Sequence, residues 1–159
     1  MSAELTTRMQ SAVSAQKLVI GFIAGFLAVL IFHQPVLFLL TVVGFSKAAT
    51  YSMHATAPFG VPQVLSLSFW GGLWGIVFAL VEGRFPRGAA YWIVAFLFGA
   101  IFPTLVAWFV AAPLKGQPMA GGWDAYRMMT GLIINGAWGV GTALFFALGI
   151  GMTRNGRSS

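Results

Sequence analysis

Two histidines are the only side chains in the chain with an ordinary pKa near neutrality, and there is no cysteine. His33 lies inside a long apolar run beside Gln34 and Pro35, and His54 lies further along in a more polar stretch. An ionisable group inside a membrane is a functional candidate by default. The plainer role for His33 is a neutral imidazole bonded to a carbonyl that Pro35 leaves without its donor. Two imidazoles could together ligate a metal or a haem, but the 33/54 spacing is not a ligand motif. Asn135 is the other candidate polar group, an amide in the middle of an apolar run that suits an interhelical hydrogen bond. The three acids, Glu4, Glu82 and Asp124, are dispersed, so no pair is set up for general acid–base work. Without cysteine there is no thiolate nucleophile, iron–sulfur cluster, zinc–thiolate site or disulfide. No Ser-His-Asp set or phosphate-binding loop is present. The residues therefore predict a non-enzymatic protein with no catalytic residue, no resident metal and no cofactor.

The elements that must carry these residues are read from composition. Charged residues are 8% of the 159, against about 25% in soluble domains, and hydrophobic residues are 58%. A soluble domain of that composition would expose large apolar patches, so the chain reads as an integral membrane protein whose first partner is the lipid bilayer. Four runs, near 18–45, 64–81, 89–112 and 128–152, approach or exceed the ~20 apolar residues that cross a bilayer, and none holds Asp, Glu, Lys or Arg. Continuous rather than alternating hydrophobicity selects helices over barrel strands. The prediction is an all-α, polytopic protein of four transmembrane helices forming one domain over 1–159, with a kink near Pro35 or a helix end there followed by a short outer segment. The first run exceeds the length of a signal-peptide core, so it reads as a retained helix. The net charge is +6, but the basic residues stand singly, which argues against nucleic acid. Six of the nine (Arg8, Lys17, Arg84, Arg87, Arg154, Arg157) flank one side, against Lys47, Lys115 and Arg127 on the other, which predicts both termini in the cytoplasm. The short 82–88 connection predicts that helices 2 and 3 are antiparallel neighbours. Tyr51, Trp123 and Tyr126 suit the outer interface, and Phe85, Tyr91 and Trp92 the inner one.

The two halves of the sequence look alike. Phe26, Leu27, Ile31 and Phe32 match Phe96, Leu97, Ile101 and Phe102 at an offset of 70. Gly72, Trp74, Gly75, Ala79 and Leu80 match Gly136, Trp138, Gly139, Ala143 and Leu144 at an offset of 64. This predicts two tandem two-helix hairpins related by an axis along the membrane normal. Every fourth residue of a helix falls on nearly one line. Helix 4 reads Gly131, Asn135, Gly139, Ala143, Ala147 at that spacing, and helix 2 reads Gly71, Gly75, Ala79. Such seams of small side chains let helices approach closely in lipid, and the expectation is that helices 2 and 4 meet along them. Ser68, Thr104 and Thr142 are expected to bond to carbonyls of their own helices. Asp124 and Arg127 suit a helix start.

The stretch from Gly72 to Phe146 runs GLWGIVFALVEGRFPRGAAYWIVAFLFGAIFPTLVAWFVAAPLKG, then a tryptophan-bearing loop and a helix containing Asn-Gly-Ala-Trp. It is similar to small bacterial inner-membrane proteins of the YagU-like type. The resemblance implies a bacterial inner-membrane location and supplies no substrate, cofactor or catalytic residue. The functional expectation is an accessory or assembly subunit, or a homo-oligomer, acting through helix contacts. The competing expectation is a small channel or transporter for an uncharged or weakly charged solute, with His33 and Asn135 lining its path.

Overall fold

Runs of Leu, Ile, Val, Phe and Ala without a charged residue leave the backbone one way to satisfy itself in lipid, and the chain takes it four times. In the computed structural model, four helical rods, Ala15–Val42, Gln63–Arg84, Ala89–Leu114 and Ala125–Thr153, are long and apolar enough to cross a membrane, as expected of an all-α multi-pass protein. The structure describes residues 2–57 and 59–155, with side chains for 15–57 and 59–153. Pro58 and Arg157 lie outside the described residues, as do the side chains of Glu4, Arg8 and Arg154.

The first rod is α1 (Ser2–Ala28), a π turn (Val29–His33) and α2 (Gln34–Val42) in unbroken succession. Pro35 thus widens the helix rather than ending it. A proline ring collides with the carbonyl four residues back and has no N–H to give. Lengthening one turn relieves the collision, and the Gln34 N–H reaches Val29 O, five residues back. A two-residue ribbon follows, β1 (Ala55–Thr56) paired antiparallel with β2 (Val61–Pro62). The second rod is α3 (Gln63–Val81). The third is α4 (Ala89–Val106), a second π turn (Ala107–Ala111) and the short α5 (Ala112–Leu114), with Pro113 placed after its π turn as Pro35 is after the first. The fourth is α6 (Ala125–Asn155). Asp124 starts it, its Oδ1 accepting the Arg127 N–H at 2.9 Å.

The rods do not pack in the way the seams suggested. α3 lays Gly71 and Gly75 on α1, and α6 lays Asn135 and Gly139 on α4, while α1 and α6 close the centre. A Cβ on Gly25 would stand 2.9 Å from Gly75 Cα, and one on Gly139 would stand 3.1 Å from Gly99 Cα. These are backbone-to-backbone contacts that any side chain would force apart. Helices 2 and 4 meet instead through Trp138 beside Gly71 and through the Phe78 and Phe146 rings, 6.1 Å apart. The correction has a plain cause: each seam is matched by small residues on its own hairpin partner, Gly21 and Gly25 on α1 and Ala95 and Gly99 on α4. Ala143 is buried in the core, but Ala147 is exposed, so the seam stops one turn early. Gly131 faces Thr104 and Trp108 more loosely. The short 82–88 connection does not make α3 and α4 close neighbours either, because they meet through rings rather than backbone.

At the centre, Phe78 is fully buried with Phe85, Phe98 and Phe146 edge-on around it at 5.4, 5.6 and 6.1 Å. Phe85, partly buried in the connecting loop, packs its ring against this core. Trp92, Trp123 and Tyr126 remain exposed. Gly139→Ala is expected to cost about 1–3 kcal/mol by overpacking. Gly151→Ala, whose Cβ meets nothing within 4 Å, is expected to leave stability unchanged or raise it slightly. Melting of the two variants in one detergent tests the contact, and equal melting would show that the glycine is dispensable.

Candidate functional site

The polar side chains of the spans sit where helices meet, in three groups. The first is built on the π turn before Pro35. Proline has no N–H, and the widened turn leaves Leu30 O without an amide donor. The Tyr51 hydroxyl donates to that carbonyl at 2.6 Å, and the Tyr51 N–H donates to Gln34 Oε1 at 2.7 Å. A backbone N–H only donates, so the Gln34 amide is fixed with its oxygen toward Tyr51 and its nitrogen toward His33. Gln34 Nε2 stands 3.5 Å from His33 Nδ1. Both His33 and Gln34 are buried.

Tyr51 reaches this place because the loop after α2 folds back. Leu30 lies about 18 Å below the end of α2 at 1.5 Å per residue. The Ser52 and His54 carbonyls then accept the Val64 and Gln63 N–H groups, fastening the loop to the start of α3. Tyr51 holds a left-handed backbone, φ +48°, which costs about 1 kcal/mol for a side-chain-bearing residue and is offset by its two bonds.

The second group joins α4 to α6. Asn135 Nδ2 donates to Thr104 Oγ1 at 2.8 Å, and Thr104 Oγ1 lies 3.5 Å from Gly131 O. Asn135 thus makes the interhelical bond expected of it. Thr104 was expected to bond to its own helix and instead bonds across. Ser68 does bond back, to Val64 O at 2.9 Å, and the buried Thr142 hydroxyl finds no partner among the described residues.

The third group is the tryptophan inside the repeated Gly-x-Trp-Gly string. Trp138, 2% exposed, donates Nε1–H to Gly25 O at 2.9 Å, crossing from α6 to α1 at the glycine contact between α1 and α3. At one end of the bundle Lys17 Nζ lies 3.6 Å from Glu82 Oε2 and 5.7 Å from the Phe146 ring, touching three rods. Half-exposed ion pairs of this kind contribute about 0–1 kcal/mol.

The two histidines differ in their surroundings. His33 is buried beside Gln34, whereas His54 is exposed in the loop. Among the described residues no three His, Cys, Asp or Glu side chains gather as a metal site would require. His33 and Asn135 stand in different contacts, one against Gln34 and the other against Thr104. Gln34, Tyr51, Trp138 and the Lys17–Glu82 pair were not singled out from sequence as bonding partners. The signal for Trp138 was present in the repeated string, but nothing local marks Tyr51 as the residue that satisfies Leu30.

Comparison with protein-family models, curated proteins and solved structures finds no match to this chain.

Tyr51→Phe is expected to destabilise by about 1 kcal/mol by orphaning Leu30 O. Pro35→Ala restores an N–H to the helix, so in that background Tyr51→Phe should cost much less. A double-mutant cycle measures the coupling, and strictly additive effects would show that the hydroxyl does not serve the carbonyl. Trp138→Phe keeps the ring and loses the bond to Gly25 O. It should lower melting by the equivalent of about 1–2 kcal/mol, and unchanged melting would show the bond to be immaterial.

Proposed function

We propose that the chain is a non-enzymatic inner-membrane protein of bacteria, with both termini cytoplasmic, acting as an accessory or assembly subunit or as a homo-oligomer. The observation that carries this reading is where the polar groups lie. Gln34, Thr104, Asn135 and Trp138 are engaged inside the bundle, while large apolar side chains such as Val19, Ile23, Phe69, Trp70 and Leu80 cover its outer faces. A surface of this kind associates with lipid and with other helices. The glycine seams are occupied within the chain, so association would use these outward faces rather than the seams. The inner-membrane placement is supported by the resemblance of 72–146 to the YagU-like type. The orientation is supported by six basic residues flanking one side against three on the other. The matched hairpin contacts also support an internal duplication. They place Gly25 on Gly71 and Gly75, and Gly99 on Asn135 and Gly139, an offset of 74 for the first helices of the two hairpins, one turn from the 70 read in the sequence.

Native mass spectrometry of protein extracted gently from its own membrane tests the reading. A reproducible stoichiometric complex, with itself or with another membrane protein, is the expected outcome. A monomer carrying lipid alone, with solute flux in vesicles that is lost in His33→Ala and in Asn135→Ala, would overturn it in favour of a solute path.

A further inference from the structure

The two hairpins make equivalent internal contacts, yet the bundle is not symmetric. Phe22 packs on Gly72 as Phe96 packs on Gly136, again an offset of 74. By the same register Ala24 and Ala28 of α1 correspond to Phe98 and Phe102 of α4. The alanines, 2% and 0% exposed, let α6 close on α1. Phe98 stands between α4 and α3, 5.6 Å from the Phe78 ring, and Phe102 beside it is exposed. Trp74, the counterpart of Trp138, lies edge-on to Phe98 at 6.3 Å. What remains beside α4 is an open apolar groove of about 160 Å³, lined by Phe85, Val94, Leu97, Phe98, Ile101 and Phe102. It runs within the membrane-crossing length of the third rod. One of its ends is Phe85, set between Arg84 and Arg87 in the connecting loop.

Both arginines are exposed, and neither has an acidic partner among the described residues. The nearest acid in sequence, Glu82, is held by Lys17. An apolar channel at hydrocarbon depth ending at two unpaired cations has the chemistry of a phospholipid that carries net negative charge. Its phosphate would be held at the arginines and its acyl chain laid against the phenylalanines. We infer that the groove beside α4, with Arg84 and Arg87 at its mouth, is a binding site for an anionic phospholipid. The site needs only that the chain lies in a membrane, and it is independent of the subunit reading above. A zwitterionic lipid would enter the groove with its phosphate already neutralised, so the arginines should set headgroup preference and the groove should set retention.

The test is native mass spectrometry of the full chain released from nanodiscs containing equal phosphatidylglycerol and phosphatidylcholine. The wild-type chain should retain phosphatidylglycerol over phosphatidylcholine about thirtyfold, from two cations near the surface at about 1 kcal/mol each. Arg84→Gln with Arg87→Gln should bring the ratio close to unity. Ile101→Trp, which fills the groove from an exposed position, should lower retention of both lipids without changing melting; Leu97→Phe serves if that variant does not fold. Equal retention of the two lipids by the wild-type chain would overturn the inference. So would an equal loss of preference in Lys115→Gln, in the loop between the third and fourth rods, or full retention of lipid by the groove-filling variants. A groove-filling variant that dissociates a dimer and leaves lipid unchanged would assign the groove to a second copy of the chain and likewise overturn it.

Discussion

In hydrocarbon no hydrophobic force gathers apolar helices, because lipid tails are as apolar as leucine, so close packing must supply what water exclusion supplies elsewhere. Here that packing is backbone on backbone. Gly21 and Gly25 lie on Gly71 and Gly75, and Ala95 and Gly99 lie on Asn135 and Gly139, at distances that exclude a further Cβ. Each contact fixes one hairpin. Trp138 reaches Gly25 O beside Gly71, where an added Cβ would stand 3.2 Å from the indole nitrogen. The bond that ties α6 to α1 is thus made at the glycine contact between α1 and α3.

The two proline-associated π turns show how a membrane helix absorbs a missing donor. Both rods widen for one turn and continue, with Gln34 N–H on Val29 O and Ala112 N–H on Ala107 O. Among the described residues only the first recruits a distant side chain to a carbonyl near the widened turn. Tyr51 satisfies Leu30 O and orients Gln34, which in turn faces His33. One residue, Tyr51, thus links the path of the loop after α2, the carbonyl of Leu30 through its hydroxyl and the amide of Gln34 through its backbone N–H. The strained backbone at Tyr51 fits a residue over-determined by its surroundings.

Similar hairpins do not have to give a symmetric bundle. Where α1 presents the buried Ala24 to α6, α4 presents the ring of Phe98 to α3, and a ring fills space that an alanine leaves for backbone approach. The closed side carries the Trp138 bond, and the open side carries the groove.

The sequence by itself determined the number of membrane-crossing helices, their approximate limits, the perturbation at Pro35, the seam residues and the bonding character of Asn135. These follow from local rules: run length, the absence of charge, the missing proline N–H and the four-residue spacing of a helix face. Only the tertiary structure decided which seam meets which rod, the shift of 74 in place of 70, the packing of Phe85 against Phe78 and Phe98, the exposure of Ala147 and the partners of Thr104, Trp138 and His33. A periodic pattern repeats every turn, so it identifies a face but not its register or its neighbour. Sliding a helix by one turn keeps the same small residues on the same side. The choice among such registers is made by side chains far apart in sequence, Phe22 on Gly72, Phe96 on Gly136 and Trp138 on Gly25, whose fit exists only once the rods are in place.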